Sequence, residues 1–229
     1  MQIGAETVAQ MSSVWPVLDP NRLDATTEEW LQVALAVIKG QRQASAELAA
    51  LYMEVYRQLE LGQVSDWKAI QALGYDLASL RTSLRVTGPI SIKQAMANDV
   101  PLQAAVDRAE ATSAAAAMRH SLNGGRETIW GSGNGDPAVI GYARVTSGNP
   151  CAFCAMLAGR GPVYQSEETA DFQPHDGCAC FPEPVFRGDS EWPDFAKGFS
   201  DLYTESTAGT SGGDSIRAFR KAYDAQRGV

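Results

Sequence analysis

The sequence predicts an α+β fold that is mostly α. A helical N-terminal body precedes a small metal-stapled α/β module, and a C-terminal helix closes the chain. Three observations predict this. Alanine- and leucine-rich stretches at helical spacing fill the first 130 residues. Short segments broken by Gly and Pro follow. All four cysteines and one of the two histidines fall between Pro150 and Pro184. The expected domains are 1–130, the helical body; 131–190, the Cys/His module; and 191–229, C-terminal helices with a Gly/Ser linker.

In the body, DATTEEWLQVALAVIKGQRQASAELAALYMEVYRQLELG opens with Thr26 three residues before Glu29, the spacing of a capping box. Leu31, Leu35, Ile38, Leu48, Leu51, Val55 and Leu59 then recur at helical intervals, and Gly62 supplies a C-terminal stop. Gly40 leaves both one long helix and two shorter ones open. Ser65 is placed to cap a short helix, and Gly88-Pro89 to end that unit. ISIKQAMAND and the alanine-rich segment after Pro101 read as further helices, with a break at Gly124-Gly125.

Beyond the body, GSGNGDP reads as a linker and AVIGYARVT as a strand, from its alternation of Tyr142, Arg144 and Thr146 with Ala143 and Val145. WPDFAKGFSDLYTES is an amphipathic helix, TAGTSGGD a flexible linker and SIRAFRKAYDAQ a basic-aromatic helix.

The chain of 229 residues carries a formal charge of −8, which weighs against a ligand bound mainly by phosphate neutralisation. The N-terminus lacks a basic start and an apolar core of a secretory signal. The apolar run Trp30–Ile38 is too short to span a bilayer. The expected setting is a reducing cytoplasm, where cysteines serve as metal ligands or free thiols rather than disulfides.

The cysteines follow Cys-x-x-Cys (Cys151, Cys154) and then, after about twenty residues, His-x-x-Cys-x-Cys (His175, Cys178, Cys180). Two intervening residues let both sulfurs of a pair face one ion, and the second group closes a tetrahedron with three cysteines and a histidine or with four cysteines. Five donors compete for four places. His175 and Cys178 repeat the spacing of the first pair and are favoured slightly. A Gly- and Pro-rich module of this size buries little apolar surface, so a structural zinc would supply folding free energy. A redox pair, disulfides and simple packing of thiols remain as other readings; the redox pair lacks its βαβ context.

Other residues carry less. His120 lies near a helix end beside Ser121, and helix packing is its plainer reading. Arg144 and Arg160 suit an anion or a carboxylate, and the scattered tryptophans Trp15, Trp30, Trp67, Trp130 and Trp192 suit a core. No phosphate loop, Gly-x-Ser-x-Gly or His-Glu-x-x-His motif occurs.

GYARVTSGNPCAFCAMLAGRGPVY followed by HDGCACFPEPVF resembles the phage Mu F-like minor capsid, or head-morphogenesis, family, in the versions found in phages of actinobacteria. An Arg-bearing strand (Arg144), Cys151 with Cys154, Gly161, and His175 with Cys178 and Cys180 carry the resemblance over about Gly141 to Phe186. VTGPISIKQAM and RHSLNGGRETI add to it. The resemblance implies a minor capsid protein of the virion, inside the capsid and in the host cytoplasm during assembly. Its implied partners are the portal protein, the major capsid or scaffold protein and packaged DNA, with no membrane. Relatives often bear the label capsid maturation protease, which would need His120 or His175 as its base. An enzyme is therefore the alternative to a structural component. A DNA-binding zinc module resting on Arg217, Arg220, Lys221 and Arg227 is a third reading.

Overall fold

A computed structural model describes residues 2–146, 148–164, 174–186 and 194–228. The fold is α+β and mostly α, as the sequence predicts. The helices are α1 (Gln2–Val14), α2 (Leu23–Leu61), α3 (Leu77–Arg85), α4 (Ser91–Ala97), α5 (Leu102–Asn134), α6 (Ala152–Ala158), α7 (Asp194–Ser206) and α8 (Gly213–Gln226). The strands are β1 (Gly141–Val145) and β2 (Phe181–Val185). The chain forms two compact units. The first comprises Met1–Tyr52, Lys68–Thr128 and Pro174–Ala179; the second comprises Met53–Trp67, Ile129–Gln173 and Cys180–Val229.

In the first unit Trp30 is the centre of an apolar cluster with Met11, Leu31, Ile38, Leu84 and Ile92. Trp15 meets Trp30 edge to face, centroids 5.4 Å apart. Helix α2 is continuous through Gly40 and stops where Gly62 takes φ +63°. It starts at Leu23, three residues earlier than the expected cap. Thr26 sits inside its first turn, where its hydroxyl donates to the Arg22 carbonyl and accepts from the Asp19 amide at 3.1 Å. The series of apolar positions also divides. Leu31 and Ile38 are buried, whereas Leu48, Leu51, Val55 and Leu59 are exposed.

Residues 63–76 are not helical, so Ser65 caps no helix. The cap is Asp76, whose carboxylate accepts from the amides of Ala78 (2.9 Å) and Ser79 (3.0 Å) at the start of α3. Gly88-Pro89 does not end this unit. Both residues lie in a single π-turn, Val86–Ile90, that joins α3 to α4. The wide turn accommodates a proline that offers no amide hydrogen and would crowd the preceding turn of an α-helix.

Gly124 and Gly125 likewise do not break α5. They let α2 and α5 touch backbone to backbone. A Cβ on Gly124 would overlap the carbonyl oxygen of Arg42, and one on Gly125 would come within 2.7 Å of Ser45 Oγ. The Gly125 amide donates to that same hydroxyl at 3.1 Å. A glycine pair read as a helix breaker is thus the contact point of the two longest helices.

In the second unit the expected strand forms as β1, and β2 returns antiparallel to it with Tyr142 opposite Pro184 and Arg144 opposite Pro182. Two prolines are tolerated because they occupy alternate positions. Opposite Pro184, the Tyr142 amide donates instead to the Tyr164 carbonyl at 2.7 Å on the far edge, so no ladder amide is missing. Tyr142 packs on Trp130 at 3.9 Å between centroids. The expected linker is partly helical, since α5 runs to Asn134, and the turn after it is fixed by Asp136, which takes a bond from Arg57 Nε at 2.5 Å. Arg57 also lies over Trp67. Helices α6, α7 and α8 enclose a second apolar cluster of Ala152, Ala155, Met156, Leu202, Phe219 and Tyr223. Trp192 falls outside the described residues.

Two glycine substitutions should act in opposite directions. Gly124→Ala forces apart the two longest helices and should lower stability by about 2 kcal/mol. Gly40→Ala, at an open helical position with nothing within 4 Å, should raise it by roughly 0.5–1 kcal/mol. Urea denaturation of both variants measures the difference.

Candidate metal centre

Cys151 is the N-cap of α6. It is exposed, and its sulfur accepts the Cys154 amide at 3.4 Å. This local turn is what the Cys-x-x-Cys spacing produces. The first cysteine stands just outside the helix and the second faces inward from its first turn. Cys154 is buried and meets Cys180, which precedes β2, with their sulfurs 3.5 Å apart. The residue before Cys151 is held in turn: Tyr223 of α8 donates its hydroxyl to the Pro150 carbonyl at 2.8 Å, and Arg227 reaches the same carbonyl at 3.3 Å. The basic-aromatic helix therefore uses Tyr223 and Arg227 to fix the entry to the cysteine turn. Arg217 pairs with Asp214, while Arg220 and Lys221 remain exposed.

Arg144 projects from β1 and is 2% exposed. Its Nη1 donates to Cys180 Sγ at 3.4 Å and stands 4.0 Å from Cys154 Sγ. The sequence suggested an anion or a carboxylate for this arginine; the structure gives it sulfur. A buried cation demands opposite charge nearby, and thiolates supply it where thiols do not.

His175 and Cys178 lie on the strip Pro174–Ala179, which is fastened to α5. Asp176 pairs with Arg119 at 2.6 Å, the Gly177 amide donates to the Ala115 carbonyl at 3.0 Å, and Arg126 donates to the Cys178 carbonyl at 2.6 Å. Arg119 and Arg126 carry no motif that marks them for this work. His175 is exposed and Cys178 buried.

Within the second unit Cys154 Sγ lies within 4.8 Å of Cys151 Sγ and 3.5 Å from Cys180 Sγ. His175 and Cys178, the other two predicted donors, belong to the first unit. Cysteine sulfurs at such separations suit zinc.

His120 lies elsewhere, in a cleft of the first unit lined also by Arg42, Tyr75, Asp76, Arg119 and Glu127. Burial, with smaller contributions from Arg119 and Arg42 and an opposing one from Asp176, lowers its pKa to about 4. Arg119 donates to its Nε2 at 3.1 Å and Arg42 to its carbonyl at 3.2 Å. Ser121, its neighbour, is fully buried, and its hydroxyl has no hydrogen-bond partner among the described residues.

A mostly helical chain with this cysteine cluster beside a two-stranded ribbon matches the model of the VG15 protein family over residues 1–206. The chain belongs to that family, which places it among phage-encoded proteins. No match is found among the curated proteins or the solved structures.

His120 gives a pH test. The unfolded side chain binds its proton near the ordinary value of 6.5, while the folded one resists protonation down to about 4. Stability should therefore fall as pH drops through that window, because the unfolded state binds more protons there. The dependence of the urea midpoint on pH measures this, and His120→Gln should flatten it between pH 6.5 and 4.

Proposed function

We propose that this chain is a phage minor capsid, or head-morphogenesis, protein whose cysteine module is held together by a structural zinc ion. Membership of a phage family supports the setting, and the resemblance of the cysteine segment to Mu F-like proteins supports the role. The observation that carries the metal is the buried guanidinium of Arg144 against the sulfurs of Cys154 and Cys180. A divalent ion with three thiolates and one imidazole leaves one excess negative charge, and with four thiolates it leaves two. Arg144 offsets part of that charge without entering the coordination sphere.

Cys151, Cys154, His175, Cys178 and Cys180 are the donors from which four ligands would come. A filled set of protein ligands leaves no position for water or substrate, so the ion's contribution is folding free energy rather than chemistry. On this reading the helical part offers surface to the portal protein and to the major capsid or scaffold protein, inside the capsid and during assembly in the host cytoplasm. Packaged DNA is a further contact for the exposed Arg220 and Lys221. The protease reading meets an obstacle at Ser121. Its hydroxyl is buried, and His120 on the next residue projects about 100° away around the helix.

Elemental analysis of protein purified without chelator should find zinc near one equivalent per chain. Cys151→Ser and Cys178→Ser should each lower the zinc content and the melting temperature. Metal-free protein whose melting temperature is unchanged by both substitutions would overturn the staple. For the assembly role, co-expression with the portal protein of the same phage should yield a complex on size exclusion. Persistent separation of the two, with scaffold and capsid proteins also present, counts against it.

A further inference from the structure

We infer that Cys154 and Cys180 form an intramolecular disulfide when the module is oxidised, and that Cys151 is the thiol through which oxidising equivalents enter. The cross-link rests on the geometry of these residues. Its coupling to zinc rests on the metal reading above.

Cys154 and Cys180 come from distant parts of the chain, yet their sulfurs are 3.5 Å apart. They must close by only about 1.5 Å to reach the bonded separation of about 2.05 Å. Both are buried, at 3% and 2% exposure, so a bulky oxidant does not reach them directly. Cys151 is exposed, and its sulfur lies within 4.8 Å of Cys154 Sγ. Arg144 Nη1 donates to Cys180 Sγ at 3.4 Å and stands 4.0 Å from Cys154 Sγ, which keeps the two sulfurs facing one another.

The oxidant is a small-molecule disulfide such as oxidised glutathione. The Cys151 thiolate attacks one of its sulfurs and expels a glutathione thiolate, leaving a mixed disulfide. The Cys154 thiolate then attacks Cys151 Sγ and expels the second glutathione thiolate. Finally the Cys180 thiolate attacks Cys154 Sγ, forms the Cys154–Cys180 bond and frees the Cys151 thiolate. Two protein thiols are oxidised, one glutathione disulfide is reduced to two thiols, and the two protein protons pass to the glutathione thiolates. A bound ion loses two sulfur ligands in the process.

The test uses the full chain, reduced and made metal-free under nitrogen, then incubated with oxidised glutathione. Intact mass should fall by two hydrogens, and peptide mapping should join Cys154 to Cys180. Cys151→Ser should slow the reaction by roughly tenfold, because access then limits the rate. A stable Cys151–Cys154 or Cys178–Cys180 link, an unreactive protein, or an unchanged rate in Cys151→Ser overturns the inference. A parallel arm uses protein preincubated with zinc. Slower oxidation with zinc release supports the coupling. Equal rates with no bound zinc overturn the metal reading while leaving the cross-link standing.

Discussion

A guanidinium buried at 2% exposure is the constraint around which the second unit is arranged. Transfer of a charge from water into a protein interior costs several kcal/mol unless the surroundings compensate it. Arg144 meets the sulfurs of Cys154 and Cys180, so local structure must deliver those two atoms to it. The first turn of α6 directs Cys154 inward while Cys151 caps the helix from outside. The return of β2 along β1 brings Cys180 up to the same strand that carries Arg144. The prolines of β2 fit because Tyr142 directs its amide to Tyr164. Tyr223 and Arg227 hold the Pro150 carbonyl, which fixes where the cysteine turn begins.

The first unit depends on a different economy, the removal of side chains. Where α2 and α5 meet, Gly124 and Gly125 bring their backbones against Arg42 and Ser45. The close approach places the Arg42 guanidinium where it bonds the carbonyls of His120 and Gly74 and pairs with Glu127. On either side of that glycine pair, Arg119 and Arg126 of α5 secure the strip that bears His175 and Cys178. One helix thus carries apolar, glycine and arginine positions, each with a separate packing task.

Much of this was legible in the sequence, for reasons that differ by residue. Cysteine spacing could be read because ligand geometry restricts it, and in the second unit Cys154 stands near both Cys151 and Cys180. Which four bind could not be read, because His175, Cys178 and Cys180 lie within six residues and all satisfy the spacing. Gly62 is legible, since its role is a backbone angle that the end of a helical pattern reveals. Gly124 and Gly125 imitate a helix break, since their actual role is contact with a partner about 80 residues away, which no local pattern contains. The Thr26–Glu29 spacing imitates a cap because both residues suit a first turn; Asp19 and Arg22 decide the actual start. Strand β2 escaped because proline argues against strands unless the hydrogen-bond phase is known.

The two histidines show how position separates similar chemistry. His175 sits exposed on the strip that is fastened to α5. His120 sits in a cleft where both its ring and its carbonyl are already engaged by arginines. A base whose pKa lies near 4 has little driving force to take a proton at neutral pH. Its ring nitrogen accepts from Arg119, the same arginine that pairs with Asp176 beside His175. The polar groups of that helical turn therefore fasten the strip carrying two of the five candidate ligands. This gives His120 a part in the packing of the first unit that needs no bond made or broken.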